Sequence, residues 1–283
     1  MNINHAIVER AKAGEALTAA ELDELATADL LSLGMLADEV RRARVGDTVS
    51  YAQDAESRLT TLPQTLADAV TRVREAKASH GTVVGYSLAD LIDRNWGPLS
   101  DVLTQLKSAG LEAIAEAPVD RIADIPAALG AAQDAGVAVR CLSLQQPLGG
   151  ERTDFLLEVR SIVEQFPALD TVAPLPREQS IAVPTTGYDD VRAVALARLA
   201  LPSVRNIQVD WAQYGPKLAQ VALTFGANDL DRVSTIDDAS LGRRRTSVED
   251  VRRNIAAAGF TAVEKSFDSD PPERSPFPGS GLP

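Results

Sequence analysis

With one cysteine, two histidines and 4% aromatic residues, this 283-residue chain lacks the raw material for several kinds of chemistry. The lone thiol, Cys141, excludes a disulfide framework and a multi-cysteine metal site within one chain. It lies in an apolar run and reads as a small buried residue rather than a nucleophile. His80 precedes Gly81 at a predicted helix end, where a cation suits the dipole, and neither it nor His5 is placed as a general base. No metal site is expected. No run approaches the ~18 consecutive apolar residues of a membrane span. Residues 1–10 show no basic stretch followed by an apolar core, so the expected location is cytoplasmic.

Positive charge is also short. The 28 Lys and Arg against 40 Asp and Glu give a net charge of -12. An acidic chain repels phosphate backbones and anionic lipid, so neither nucleic acid nor membrane is an expected partner. The one basic cluster, Arg243 to Arg245, reads as a solvated loop beside a helix start. Scarce lysine beside abundant Ala, Arg, Asp and Val points to a GC-rich bacterial genome. The 45% hydrophobic and 24% charged residues fit a globular protein with a substantial core.

Periodicity supplies the outline. Residues 3–44 read as helices. A Thr18/Glu21 capping box starts one of them, and Leu30, Leu33, Leu36, Ala37 and Val40 form a stripe in the next. Thr48 to Tyr51 is a short strand. Residues 60–79 are read as a helix, Thr82 to Ser87 as a strand, Leu99 to Ala109 as a helix stopped by Gly110, and Ala113 to Ala115 as a short strand. Helices at 125–135, 152–166 and 188–201 alternate with strands at 137–144, 171–173 and 204–211. Alternating strands and helices imply a parallel sheet with helical crossovers. A helix at 217–225, a loop through Asn228 and Asp229, a helix at 248–258 with capping boxes at Thr246/Glu249 and Ser247/Asp250, and an edge strand at 260–267 complete the ordered part. The proline-rich residues 268–283 read as a disordered tail.

Three segments carry a resemblance. They are Leu30-Leu-Ser-Leu-Gly-Met-Leu-Ala-Asp-Glu-Val-Arg41 with Val45-Gly-Asp-Thr-Val49; Leu106-Lys-Ser-Ala-Gly-Leu111; and Pro184-Thr-Thr-Gly-Tyr-Asp-Asp-Val-Arg192 through Asn206, Gln208, Trp211, Gly215 and Phe225-Gly-Ala-Asn-Asp-Leu230. Their order and spacing resemble radical S-adenosylmethionine (SAM) enzymes of the futalosine and deazaflavin group: aminofutalosine synthase, cyclic dehypoxanthine futalosine synthase and the FO synthase subunits. The likeness implies an α/β fold, a partial or truncated βα barrel of radical SAM type with N-terminal helices and a C-terminal helical extension. On that reading residues 1–267 form one domain, with N-terminal helices to residue 45, strand–helix units over 46–211 and the extension over 212–267.

The chain departs from the group where Cys-x3-Cys-x2-Cys is expected. It has Ala52-Gln-Asp-Ala-Glu-Ser-Arg58 instead. Three thiolates hold three irons of a [4Fe–4S] cluster, and one cysteine cannot replace them. Only one helix separates Tyr51 from the strand at 82–87, so one or two βα units are expected to be missing. The family's Gly-Glu-Thr-like turn also departs, reading Gln146-Pro-Leu-Gly-Gly-Glu-Arg152 here. The expectation is no cofactor: no cluster, with the same losses counting against SAM.

Strand ends on one rim of a βα barrel carry its site. The candidates for binding a small aromatic or nucleoside-like ligand are Tyr86, Ser87, Gln208, Asp210, Trp211, Asn228 and Asp229, with no catalytic residue assigned. The alternative is structural, with Asp229 capping a turn and Trp211 in the core. Three functional readings follow. The first is a pseudoenzyme or partner protein related to menaquinone or deazaflavin biosynthesis, meeting a protein partner or a second copy through an open sheet edge. The second is a lyase or hydrolase drawing on Glu116, Asp210 and Asp229. The third is a small-molecule sensor.

Overall fold

Helix ends in this chain are set by side-chain caps that the sequence displays. A computed structural model describes residues 3–53, 58–148, 150, 152–178, 180–233 and 248–265. It opens with α1 (His5–Ala13), α2 (Ala19–Thr27) and α3 (Leu30–Val45). The expected capping box starts α2: Thr18 N donates to Glu21 Oε2 at 2.7 Å, and Glu21 N donates to Thr18 Oγ1 at 3.3 Å. Two amides without helical partners are thereby satisfied. The α3 stripe of Leu33, Leu36, Ala37 and Val40 is buried.

The rest alternates. In order come β1 (Thr48–Gln53), β2 (Arg58–Leu59), α4 (Leu66–His80), β3 (Val83–Ser87), α5 (Leu88–Asp93), α6 (Leu99–Ala109), β4 (Leu111–Pro118), α7 (Ile125–Asp134), β5 (Ala138–Val139) and β6 (Leu142–Leu144). Then follow α8 (Arg152–Gln165), β7 (Thr171–Pro176), α9 (Gly187–Ala200), β8 (Asn206–Asp210), α10 (Trp211–Leu223), β9 (Asp229–Val233), α11 (Val248–Ala257) and β10 (Thr261–Glu264). Every strand pairing is parallel, in the order β10-β1-β9-β8-β7-β6-β4-β3-β2, with β5 beside β4. Parallel sheets need both faces covered; all residues of β7 and β8 are buried accordingly.

The sheet curls into a partial barrel, as ion pairs across it prove. Six strand spacings separate β2 from β9 along the sheet, about 29 Å if it were flat. Yet Arg58 on β2 grips Asp231 on β9 through two bonds of 2.7 and 2.9 Å. β1 pairs with β9 and β10, and no described residue pairs it with β2. Among the described residues the barrel is therefore not closed between β1 and β2. This is the expected fold class. β2 itself lies close against β3 because Gly85 has no Cβ; one built there would meet Leu59 at 2.6 Å.

Several boundaries differ from expectation, each for a local reason. The helix predicted from residue 60 begins at Leu66, where Thr65 accepts from Asp68 N at 3.2 Å. The strand predicted over 137–144 is split, because β5 and β6 pair with successive parts of an eight-residue β4. Trp211 starts α10 rather than ending β8, since Asp210 Oδ1 caps that helix through Gln213 N at 3.0 Å. Asp229, predicted in a loop, opens β9. Arg243 to Arg245, the capping residues Thr246 and Ser247, and the tail at 268–283 lie outside the described residues. Among those described, no helix is long and apolar enough to cross a membrane.

Candidate functional site

Residues that bond across several strands must sit on the concave face of a curled sheet. Arg177, just past β7, donates from Nε to Glu116 Oε2 on β4 at 2.8 Å. Its other nitrogens reach Gln208 Oε1 at 3.2 Å and Asp210 Oδ2 at 3.4 Å, both on β8. Arg232 on β9 approaches the same two carboxylates, at 3.6 Å from Glu116 and 3.3 Å from Asp210. With Arg58–Asp231, these contacts span the C-terminal ends of the strands. A polar cavity of about 320 Å³ adjoins them, lined by Arg58, Ser87, Glu116, Arg121, Arg177 and Arg232 among others.

The network holds its charges firmly. Burial opposes ionisation of Asp231, but Arg58, Arg177 and Arg232 outweigh it and hold its carboxyl well below the usual range. Glu116 is lowered in the same way, burial being outweighed by Arg177 and Arg232. Arg177 is pulled the other way: its burial is outweighed by Glu116 and the neighbouring acids, which raise it. Two positions at the rim have left-handed backbone, Tyr86 at φ 60° and Arg232 at φ 56°. For non-glycine residues this costs on the order of 1 kcal/mol each and clusters at working parts of proteins.

The seven sequence candidates divide into groups. Gln208, Asp210 and Asp229 come together. Gln208 Nε2 donates to Asp229 Oδ2 at 2.8 Å, and Asp229 also accepts from Ser50 Oγ at 2.5 Å and pairs with Lys265 at 2.8 Å. Tyr86 and Ser87 border the 320 Å³ cavity at the end of β3, and both hydroxyls are buried without a hydrogen-bond partner. Burial pushes the Tyr86 phenol up to about 12, and the charge acting on it is Arg72 of α4, a residue of the helix layer. Trp211 is 1% exposed with its indole N–H unpartnered, packed in the core. Asn228 lies in a separate cluster: its Oδ1 accepts from Arg198 Nη2 at 2.6 Å and Ile207 N at 2.9 Å, and its Nδ2 donates to Asn206 Oδ1 at 3.0 Å. Gly226, at φ 103°, lets this cluster close, because a Cβ there would meet Arg198 Cβ at 2.8 Å.

Sequence reasoning missed the arginines. Arg177 follows a strand ended by Pro176, and Arg232 follows Asp231 in a run whose alternation, Asp229-Leu230-Asp231, marks a strand with one polar face. Strand-end position was the available signal for both.

The fold is that of the radical SAM enzymes, a partial parallel barrel under a helical layer. It superposes on methylornithine synthase (PylB) with a TM-score of 0.66 at 14% identity, covering 91% of this chain and 97% of that one. HydG, a maturase of the [FeFe]-hydrogenase, gives 0.61 at 14% identity, covering 91% and 75%. Within that class the particular likeness lies at the C-terminal end, where residues 162–269 match the family described as the CofH/MqnC C-terminal region. Relatives include 5-amino-6-(D-ribitylamino)uracil–L-tyrosine 4-hydroxyphenyl transferases. That of Methanopyrus kandleri is 30% identical over 207 residues, 61% of this chain and 56% of the relative. Transferase 1 of Methanosarcina barkeri is 29% identical over 206 residues, 59% and 54%. That of Archaeoglobus fulgidus is 33% identical over 120 residues, 38% and 35%. The matched stretch therefore spans between a third and just over half of these relatives.

These likenesses overturn the expectation of no cofactor, because the radical SAM class carries a [4Fe–4S] cluster and SAM. The donor set of this chain is a different matter. Cys141 is buried, donates to Leu142 O at 3.2 Å, and has its thiol pushed up to about 12 by burial. Among the described residues no group of three His, Cys, Asp or Glu could hold a metal ion. These residues do not fit a three-thiolate cluster.

Proposed function

We propose that this chain is a non-catalytic homologue of the deazaflavin and futalosine radical SAM enzymes, acting as a binding or partner protein in menaquinone- or deazaflavin-related cofactor biosynthesis. One observation carries the reading. The strand ends where barrel enzymes do their chemistry are spanned by Arg177, bonded to Glu116 and Asp210, with Arg232 on the same two carboxylates. A general acid or base needs a carboxylate free to exchange its proton near neutral pH. Glu116, held ionised by two arginines, is poorly suited. The lyase or hydrolase reading would call on these same groups, so the geometry favours binding.

A ligand of aromatic or nucleoside-like type fits the polar cavity beside Ser87 and Arg121, and a protein partner or second copy fits the outer edge of β10, where Val263 is 46% exposed. The test is an anaerobic assay after iron–sulfur reconstitution, with SAM, a reductant, L-tyrosine and 5-amino-6-(D-ribitylamino)uracil. The expected result is no consumption of SAM or tyrosine, with ligand-dependent thermal stabilisation. Multiple turnover of either compound sinks the proposal. Light scattering on the eluted protein tests the edge separately: a monomer that co-purifies with nothing from its host removes the partner role.

A further inference from the structure

Five carboxylates are buried among the described residues: Glu116, Asp190, Asp210, Asp229 and Asp231. Four of them have an arginine or lysine within ion-pair distance. Asp190 has none. It stands in the first turn of α9, 8% exposed, with the Thr185 hydroxyl as its side-chain hydrogen-bond partner. A buried carboxylate without a cation is costly unless something compensates it. The helix dipole offsets part of that cost. Arg152 attracts it from beyond ion-pair distance, while Asp189 beside it repels.

Asp190 lines a cavity of about 510 Å³, a different one from that of the ion-paired strand ends. The size suits a small organic ligand. Part of its wall is apolar and stiff, four prolines with Val183 and Leu218, and Glu178, Ser180 and Thr185 add polar groups to the rest. Two of the polar donors nearby are already engaged. Tyr214 Oη donates to Pro176 O at 2.7 Å, and Gln213 Nε2 donates to the same carbonyl at 2.9 Å. Lys217 is exposed and lines the cavity without an ion pair to Asp190.

We propose that this cavity binds a small amine with an apolar body, its ammonium seated on Asp190 and its body against the proline walls. Burial raises the Asp190 carboxyl above its ordinary range, as expected of an acid awaiting a cation. The enclosed charge of Asp190, with the Glu178 carboxylate on the same lining, selects against anions. Lys217 adds a positive charge that limits how many cationic groups the ligand carries.

Phenethylamine, 2-phenylethanol and 3-phenylpropanoate share a body and differ in the head group, so calorimetric titration of the full chain with each reads the site directly. The amine should bind at least about tenfold more tightly than the alcohol, the size of one charge-assisted bond. Asp190→Asn, nearly isosteric, should abolish that preference. Lys217→Gln, at an exposed position, should leave the fold intact, tighten the amine about twofold and weaken the carboxylate. Equal binding of amine and alcohol, amine binding unmoved by Asp190→Asn in a folded variant, or no binding by any of the three overturns the proposal. If Asp190→Asn fails to fold, an amine affinity unmoved by Lys217→Gln overturns it instead. The titration reads equilibrium binding alone, so its failure leaves the non-catalytic reading untouched, and turnover in the earlier assay leaves this site untouched.

Discussion

Two arginines are buried at opposite ends of the strands, and each is accommodated by different chemistry. Arg177, past the C-terminal end of β7, has its side chain 5% exposed and is bonded to the carboxylates of Glu116 and Asp210. Arg198 on α9 is fully buried near the strand starts and meets neutral oxygens: Gly226 O at 2.8 Å, Arg205 O at 3.1 Å and Asn228 Oδ1 at 2.6 Å. Their proton affinities diverge accordingly. Acids raise Arg177 despite its burial, whereas burial, with Arg44 and Arg41 adding repulsion, lowers Arg198 to about 9. The base of the barrel uses an arginine as a clamp for the chain turns before β8 and β9. The mouth uses one as a counter-ion linking strands that are far apart in the sheet. A clamp only needs geometry, but a counter-ion network sets the charge that any ligand at the mouth must meet.

The two ends should differ most at Arg177. Arg177→Met leaves Asp210 and Glu116 with Arg232 alone, and should lower the unfolding free energy in urea by about 3 kcal/mol, the scale for removing one partner of a buried pair. The acid limb should change too. Asp231 and Glu116 have depressed native values, so their contribution is present above the ordinary carboxylate range and is lost as pH falls through those depressed values. Arg58→Met removes the main partner of Asp231 and lifts its depressed native value towards that of the unfolded chain, so the protein is less stable near neutral pH and the further fall on acidification becomes shallower, followed as midpoint against pH. Arg198→Met strands four neutral acceptors but also removes an uncompensated charge, so about 1–3 kcal/mol is expected, with the acid limb unchanged. An acid limb shifted equally by Arg198→Met and Arg177→Met would erase the distinction between the two ends.

How much of this was legible beforehand follows from the range of each interaction. The α2 capping box, the α3 stripe and the strand–helix alternation are local patterns, and they emerge where the sequence places them. The Phe225 to Leu230 motif was legible as a unit but not in its parts. Gly226 and Asn228 serve the clamp at the base, while Asp229 serves the mouth, and only the sheet register assigns adjacent residues to different networks. Arg58, Arg177 and Arg232 could not be paired with their acids from sequence, because 61 residues separate Arg177 from Glu116 and 173 separate Arg58 from Asp231. The cofactor question was not settled by counting cysteines, because the fold and the likeness of residues 162–269 carry their own evidence.

The smallest expected effect marks where the mouth network ends. Lys265 pairs with Asp229 at 2.8 Å, but its side chain is 34% exposed, and Asp229 keeps Ser50 Oγ and Gln208 Nε2 when the lysine is gone. A half-exposed ammonium gains little over water and is screened by salt. Lys265→Met should therefore cost less than about 1 kcal/mol at low ionic strength and nothing measurable at high salt, read from paired urea titrations. Arg177→Met should keep most of its cost in both, because its charges are shielded from mobile ions. A salt-insensitive loss of several kcal/mol at Lys265 would mean that β10 is part of the same buried circuit as β4 and β8, extending the mouth to the edge of the sheet.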